Sequence, residues 1–423
     1  MGVKRLAAGV AAVAALGGAG FAALLRSGLP KTRGEVRVRG IDGPIAIDRD
    51  ENGVPHIRAT SDRDGFFAQG WCLAQDRMWQ LDSFRRLCDG TISEVAGPVG
   101  LESDRFMRRL GLRGVAEAAY ATVSESSRTA LQAYADGVNA CRETFPRRVP
   151  LENILMRARP APWDPIASLA FLRYMGWNLG GAHDRILAVG RCAPHVPPDL
   201  FRQWFGDGVD AMPPHALHPE AEAEVLQQAR LARDAAARTT GLGDSGTGSN
   251  AWAINGTLTK SGKPILANDP HLLIAMPSVW YELSIESPGY RASGACLPAV
   301  PGVVIGRGPR SAWGITATML ISSDLYVEEI HPEDPHLYRV GDAWRPFEEE
   351  RQTIAVKGRA PEAIVVRGTR HGPVLSDAEP GEKTAVALRW AGAEPGDDLA
   401  ALLAGGRVES WREFRDALRN LVA

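Results

Sequence analysis

The spacing of apolar positions divides the chain into two regions of different secondary structure. Residues 37–57 are predicted to form strands, because apolar side chains recur at nearly every second position and Asp-Gly and Asn-Gly pairs supply turns. A helix is predicted next, because Phe67, Trp71, Ala74 and Leu81 recur every three or four residues along one apolar stripe.

The second region begins after a stretch that is typical of a surface linker. Residues 113–235 keep helical spacing between proline-rich joints and lead into a small, polar segment that ends at Gly248. From Ser249 onward, short β-rich runs alternate with turn residues, and residues 409–422 have the spacing of a closing helix. Helices followed by strands predict an α+β layered fold.

Composition and charge change this picture little. A chain of 423 residues, 45% apolar and 23% charged, is typical of a globular protein with two or three domains or one large core. The net charge of −2 and the absence of a basic stripe with aromatic residues give no basis for nucleic-acid binding. An odd number of cysteines without a C-x-x-C pair predicts small buried side chains rather than a disulfide scaffold or zinc cluster: Cys72, Cys88, Cys141, Cys192 and Cys296.

The N-terminus carries a candidate membrane segment. Lys4 and Arg5 precede an uncharged run, residues 6–25, which Arg26 closes. The run is long enough to span a bilayer, and a basic flank before an apolar stretch is also how a secretory signal begins. A signal peptide and an uncleaved anchor both fit, and both place the remaining chain outside the cytoplasm, in the periplasm or secreted.

Ser249 lies where the glycine-rich linker meets a strand, and this position suits self-cleavage. If Ser249 Oγ reaches the carbonyl of Gly248, an N-to-O acyl shift gives an ester, which water cleaves to leave a serine with a free α-amine. Glycine tolerates the strained backbone angles that this requires. The new amine has a reference pKa near 8, so it can act as general base for its own hydroxyl. An ordinary turn is the alternative reading of this segment.

A competing serine motif lies just upstream. Gly243-Asp-Ser-Gly246 is similar to the segment around the nucleophile of trypsin-like serine proteases. That chemistry needs a histidine base and a buried aspartate. The Ala-Ala-His-Cys signature of those proteases and the Gly-Gly-Pro continuation are both missing from the sequence. The motif is therefore a weak rival to Ser249.

The motifs around Ser249 resemble the penicillin acylase family of N-terminal-nucleophile hydrolases. The resemblance covers residues 35–423 and rests on segments that follow in the family's order: Arg49-Asp-Glu-Asn-Gly-Val-Pro-His-Ile57, Gln75-Asp-Arg77, Gly248-Ser-Asn-Ala-Trp-Ala-Ile254, Leu266-Ala-Asn-Asp-Pro-His271, Pro301-Gly-Val-Val-Ile-Gly306, Ala312-Trp-Gly-Ile-Thr316 and Arg370-His-Gly-Pro-Val374. It implies an αββα sandwich of two packed antiparallel sheets flanked by helices.

The resemblance also implies how the chain is divided. Residues 1–28 would be the signal peptide or anchor, 29–214 a mainly helical α-chain region, 215–248 a spacer, and 249–423 the β-rich start of a β chain. Cleavage between Gly248 and Ser249 would give α and β chains that stay together as a heterodimer. The expected substrate is a small molecule with a linear amide between an acyl group and an amine nucleus.

Three site residues follow from the same resemblance. Ser249 matches the nucleophile, and His271 occupies the position where family members carry a histidine or glutamine that orients the Ser249 amine or contacts substrate. A hydrogen-bonded structural histidine is the alternative for His271. Ala317 matches the residue whose backbone N–H forms half of the oxyanion hole, a donor worth about 3–4 kcal/mol of transition-state stabilisation. No cofactor is required for this chemistry.

A structural calcium ion is common in the family, and this sequence departs from its pattern. Asp324 matches one acidic ligand and Asp184 is the acid nearest to a second. Ile321 and Ile186 stand where other acids are expected. Calcium prefers several hard oxygen ligands, so these replacements predict a weakened site.

Length separates two hypotheses. Family precursors run to nearly twice this size, and the asparagine side chain that forms the second half of the oxyanion hole is expected beyond Ala423. Losing one such donor costs about a hundred- to a thousandfold in rate. We therefore expect this chain alone to be poorly active. The alternative is an inactive, membrane-tethered fragment that acts as a binding or structural module.

Overall fold

The computed structural model describes residue 26 and residues 28–180, 195–205, 248–317, 322–376 and 383–422. Its helices are α1 (Asp62–Asp89), α2 (Ser93–Ala96), α3 (Leu101–Leu110), α4 (Leu112–Thr122), α5 (Glu125–Thr144), α6 (Leu151–Leu155), α7 (Pro165–Gly180), α8 (Pro198–Phe205), α9 (Asp398–Ala404) and α10 (Trp411–Ala417).

The strands are β1 (Ala46–Arg49), β2 (Pro55–Arg58), β3 (Ser249–Ile254), β4 (Ile265–Pro270), β5 (Tyr281–Glu286), β6 (Arg291–Cys296), β7 (Ile305–Arg307), β8 (Ala312–Trp313), β9 (Ser323–Glu329), β10 (Leu337–Val340), β11 (Ala343–Pro346), β12 (Glu348–Ile354), β13 (Glu362–Thr369), β14 (Gly372–Pro373) and β15 (Thr384–Trp390). The α+β class predicted from the sequence is confirmed, with most described helices before Ser249 and most strands after it.

Helix α1 forms the centre of the helical region. It begins at Ser61, whose side chain accepts a hydrogen bond from the Asp64 N–H, and it ends at Gly90 in the left-handed conformation with φ of 59°. The apolar spacing predicted one buried stripe, but residues 64–75 are buried throughout. The reason is tertiary, because α5 and strands β2 and β5 all contact this helix.

Two glycines set the close approach of α1 to α5. A Cβ on Gly70 would lie 2.1 Å from the Tyr134 carbonyl oxygen, and a Cβ on Gly137 would lie 1.9 Å from the Phe67 carbonyl oxygen. Real Cβ atoms do not approach backbone so closely, so any larger residue would push the helices apart. The apolar spacing along each helix does not reveal this requirement.

A six-stranded sheet joins the beginning of the chain to the region after Ser249. Its order is β1-β2-β5-β6-β7-β8. Strand β2 pairs in parallel with β5, with Ile57 opposite Ile285, and the other neighbouring pairs are antiparallel. Ile57 and Ile285 belong to the same apolar core as Phe66, Leu73 and Trp313. The core therefore covers both halves of the chain.

Smaller antiparallel sheets complete the described β region. They are the pairs β3-β4, β9-β15 and β10-β11 and the three-stranded sheet β12-β13-β14. The sequence predicted a β-rich region after Ser249, and the structure supplies the pairing of its strands. The closing helix predicted for residues 409–422 is shorter in the structure. Helix α10 ends at Ala417, and Leu418–Asn420 form a 3-10 turn.

A buried ion pair ties α7 to the last described residues. An Nη atom of Arg173 lies 2.9 Å from an Asp398 carboxylate oxygen, and both side chains are almost fully buried. The other Asp398 oxygen accepts the Val422 N–H at 2.7 Å. Burial lowers the pKa of the Arg173 guanidinium, and the nearby Asp398 charge opposes this shift.

Several sequence predictions lie outside the described residues: the apolar run 6–25, Asp184, Ile186, Cys192, Ile321 and the spacer up to residue 247. No helix in the described part of the chain is long and apolar enough to cross a membrane. The four described cysteines are buried and free, as expected for small core side chains: Cys72, Cys88, Cys141 and Cys296.

Candidate active site around Ser249

Ser249 is the first residue of strand β3, and an antiparallel partner fixes its surroundings. In the β3–β4 pair, Ser249 lies opposite Pro270 and Asn250 lies opposite Asp269. Residues 268–271 therefore lie directly beside the candidate nucleophile. The sequence motif Asn-Asp-Pro-His forms one wall of the site because the chain folds back on itself at this register.

Gly248 holds the peptide bond before Ser249 in an unusual conformation. Its φ of +89° lies in the region that L-residues other than glycine adopt at a cost. The Gly248 carbonyl oxygen accepts a hydrogen bond from the His271 backbone N–H at 3.1 Å. This donor polarises the carbonyl that self-cleavage would attack, and the positive φ explains why glycine precedes the serine.

The backbone N–H of Ala317 points at the Ser249 hydroxyl. It lies 3.3 Å from Ser249 Oγ, although the two residues are 68 positions apart in the sequence. The structure thus brings together Ser249, Gly248, Ala317 and the backbone of His271. When Ser249 Oγ attacks a carbonyl carbon, negative charge develops on the carbonyl oxygen. A backbone donor at this position lies close to that oxygen.

Asn268 connects the two segments, and sequence reasoning gave it no role. Its amide nitrogen donates to the carbonyl oxygens of Asn250 at 2.8 Å and Ile315 at 3.0 Å. Its amide oxygen accepts the Ile315 N–H at 2.9 Å. Through its amide nitrogen and its amide oxygen, the Asn268 side chain therefore connects the β3–β4 pair to the segment that carries Ala317.

The Asn268 side chain needs a glycine at position 314. A Cβ at Gly314 would lie 2.8 Å from Asn268 Oδ1, so a larger residue would displace the Asn268 amide from its hydrogen bonds. The sequence signal that could have identified Asn268 is its place in the Asn-Asp-Pro-His motif. Periodicity and composition give no indication that its amide contacts residue 315.

The His271 side chain lies beside Asp269 and Asn250. Its Nε2 is 3.0 Å from Asp269 Oδ2 and 3.3 Å from Asn250 Nδ2. Nε2 donates to Asp269 when it carries a proton and accepts from Asn250 when it does not, because one nitrogen cannot do both. These contacts orient the ring next to the strand that begins at Ser249.

The strand pair that carries the site is open to solvent. Ser249 is half-buried, while Trp252 is 53% exposed and Ile265 is 50% exposed. Water therefore has access to Ser249, as the hydrolysis of an ester on this residue requires.

The predicted calcium ligands receive no further support. Asp324 is an exposed residue of β9, and its Oδ1 accepts the N–H of the next residue, Leu325, at 2.9 Å. Within the described ranges, no group of three or more His, Cys, Asp and Glu side chains is arranged to hold a metal ion. Asp184 is outside those ranges. One self-capped carboxylate is not by itself the ligand set that calcium prefers. The weakened calcium site expected from the sequence stays a prediction.

Comparison with known proteins identifies similar chains. The family model for penicillin amidase matches residues 44–423. An acyl-homoserine lactone acylase, QuiP, from Pseudomonas aeruginosa is 34% identical over 361 residues, which cover 83% of this chain and 42% of that protein. The penicillin acylase 2 proenzyme of a Pseudomonas species is 31% identical over 373 residues, covering 86% of this chain and 48% of that protein.

Among solved structures, a thermostable penicillin G acylase from Alcaligenes faecalis has 25% sequence identity and a TM-score of 0.37, covering 40% of this chain and 31% of that chain. The chain spans less than half the length of the two curated relatives described above.

Proposed function

Because the chain belongs to the penicillin amidase family, we propose that it acts as an amidohydrolase on a linear amide between an acyl group and an amine nucleus. In this proposal, Ser249 is the nucleophile and is released by self-cleavage of the Gly248–Ser249 bond. The observation that carries it is the convergence on Ser249 Oγ and the Gly248 carbonyl of two backbone donors, Ala317 N–H at 3.3 Å and His271 N–H at 3.1 Å.

Self-cleavage proceeds in two steps, an N-to-O acyl shift and the hydrolysis of the resulting ester. Ser249 Oγ attacks the Gly248 carbonyl carbon, the C–N bond breaks, and the hydroxyl proton passes to the departing Ser249 nitrogen, which leaves an ester. The Ala317 N–H, which donates to Oγ, positions this nucleophile, and the His271 N–H, which already donates to the Gly248 carbonyl, stabilises the oxygen of the tetrahedral intermediate. Water then cleaves the ester to give a Gly248 carboxylate and a free Ser249 amine.

Amide hydrolysis uses the residues that this cleavage sets free. The Ser249 amine takes the hydroxyl proton while Oγ attacks the acyl carbonyl. The Ala317 N–H supplies one donor to the resulting oxyanion. The Ser249 amine passes this proton to the departing nitrogen, the C–N bond breaks and the amine product leaves. Water then hydrolyses the acyl ester, which restores the Ser249 hydroxyl and releases a carboxylate. We propose that the His271 ring, held by Asp269 and Asn250, orients the Ser249 amine.

The organisation of the processed protein follows from the same proposal. The two products of cleavage remain associated, because strands β2 and β5 pair across the cleavage point. The basic residues Lys4 and Arg5 before the apolar run 6–25 support a location outside the cytoplasm. Relatives are named for acting on acyl-homoserine lactones and penicillins, and we propose an acyl amide of this general kind as substrate.

Intact-mass spectrometry of the purified, folded chain tests the self-cleavage step. We expect two products, one ending at Gly248 or earlier and one starting at Ser249. Ser249→Ala should remain uncut, and Ser249→Cys should retain some cleavage because a thiolate can also attack the carbonyl. Ser245→Ala is the matched control, since it removes the competing serine four residues upstream and should be cleaved normally.

Two results would contradict the proposal. A folded wild-type chain that stays intact would refute self-activation and favour the hypothesis of a binding or structural module. Loss of cleavage in Ser245→Ala with retention in Ser249→Ala would assign the nucleophile to the trypsin-like motif instead. Hydrolysis of a chromogenic N-acyl amide, compared between the wild type and Ser249→Ala, then tests the amidohydrolase activity itself.

A further inference from the structure

A cavity of about 120 Å³ lies on the helical side of the molecule, away from the residues around Ser249. Ala74 and Met78 of α1 and Phe145 after α5 contribute apolar walls, and Arg142, Arg148 and Arg159 contribute the charge. No Asp or Glu side chain lines it. None of the residues that form the candidate active site takes part in it, so the cavity is a separate feature of the fold.

The three arginines of the cavity have no counter-ion among the described residues. Elsewhere, arginines such as Arg49, Arg86 and Arg173 form ion pairs with aspartates. Within the part of the chain that the structure describes, Arg142, Arg148 and Arg159 form no ion pair. Three positive charges around one cavity repel each other, so a negative ligand would be stabilised there.

Two guanidinium nitrogens are also buried without a hydrogen-bond acceptor. They are Arg142 Nε and Arg148 Nη1. Leaving a buried donor unsatisfied costs about 1–3 kcal/mol, and more when the group is charged. Buried donors without partners are uncommon in folded proteins, so the missing acceptors add to the uncompensated charge of these two side chains.

The apolar walls limit what kind of anion fits. The Arg148 Cζ atom lies over the Phe145 ring, 4.2 Å from its centroid, which places the charge beside an apolar surface. A volume of 120 Å³ is about that of four water molecules in the liquid, enough for a ligand of roughly four to six heavy atoms. A planar carboxylate matches the guanidinium fork, and a short alkyl group matches Ala74, Met78 and Phe145.

We propose that this cavity is a binding site for a short-chain carboxylate. The carboxylate accepts hydrogen bonds from Arg142 and Arg148, and the alkyl group lies against the apolar walls. Inorganic phosphate shares the affinity for arginine but not the alkyl group. The proposal does not depend on the activity assigned to Ser249.

Isothermal titration of the full chain with butanoate tests this proposal. Butanamide has the same size without the charge, and inorganic phosphate has the charge without the alkyl group. We expect saturable binding of butanoate, which weakens about ten- to a hundredfold in Arg148→Gln or Arg142→Gln, since each substitution removes a hydrogen bond to a charged group. Arg147→Gln is the matched control, because Arg147 is adjacent, exposed and not part of the cavity wall.

The possible results separate cleanly. Equal butanoate binding by the wild type and Arg148→Gln would overturn the proposal, as would butanamide or phosphate binding as tightly as butanoate. If the arginine variants fail to fold, labelling in the wild type decides. Cys141 lines the cavity, so butanoate should slow its modification by a thiol reagent, located by peptide mass spectrometry, and butanamide should not. An unchanged rate of Cys141 labelling at saturating butanoate would refute the site.

Discussion

Replacing Asn268 by alanine should disconnect the Ala317 segment from the strand that carries Ser249. In the native structure, the Asn268 amide donates to the carbonyls of Asn250 and Ile315 and accepts the Ile315 N–H. Gly314 leaves room for this bridge, because a Cβ there would lie 2.8 Å from Asn268 Oδ1. Alanine removes both amide functions without adding bulk.

The size of the effect follows from these three hydrogen bonds. Each contributes about 0.5–1.5 kcal/mol net, and the lower value applies here because water can reach the backbone groups that alanine would leave. The total is about 1.5 kcal/mol. A factor of ten in rate corresponds to about 1.4 kcal/mol, so self-cleavage at Gly248–Ser249 should slow roughly tenfold. Global stability should fall by no more than the same amount.

The assay is a time course of precursor disappearance by intact-mass spectrometry, with urea denaturation run in parallel. Asn255→Ala is the control variant, since Asn255 lies in the same hairpin but caps only a local turn, accepting the Thr257 N–H. It should be cleaved at the wild-type rate. A wild-type rate for Asn268→Ala would refute the idea that this side chain positions the Ala317 donor. Unfolding of Asn268→Ala by several kcal/mol would also contradict it, because the role would then be structural.

Two further predictions concern the scaffold. Asp398→Ala should lower the free energy of unfolding by about 3–5 kcal/mol, because it leaves the buried Arg173 charge uncompensated, whereas the exposed Asp416→Ala should have little effect in the same urea titration. Gly137→Ala should cost at least 1–3 kcal/mol, since its Cβ would meet the Phe67 carbonyl at 1.9 Å, while Gly114→Ala on α4 should gain about 0.5–1 kcal/mol because nothing lies within 4 Å. Equal effects of the two glycine substitutions would contradict the packing argument for α1 and α5.

Local sequence patterns located much of the secondary structure. The spacing of Phe67, Trp71 and Leu81 predicted α1, and the change from linker to β-rich sequence located the beginning of β3 at Ser249. Both depend on near neighbours in the chain, which is why they could be predicted without a fold. The closing helix was overextended, because the position at which a helix ends depends on its tertiary surroundings as well as on its apolar spacing.

The candidate site also combines contacts between near neighbours in the sequence with contacts that depend on tertiary packing. Gly248, Ser249 and His271 come from one antiparallel hairpin, so their proximity follows from residues that are close in the sequence. The contact of Ala317 with Ser249 spans 68 residues and lies beside the Asn268 bridge to Ile315. Only the tertiary structure decides such contacts, because hydrogen-bond partners are set by which segments pack together.

The same holds for the arginine cavity and for the pairing of β2 with β5. In sequence, Arg142, Arg148 and Arg159 are ordinary charged residues near proline-rich joints. They line one cavity only in the folded chain, beside Ala74 and Met78 of α1. The sequence by itself determined the local helices and strands and singled out Ser249 as the candidate nucleophile. The tertiary structure decided which distant backbone donors and charges surround each group, because burial and pairing depend on the packing of the whole chain.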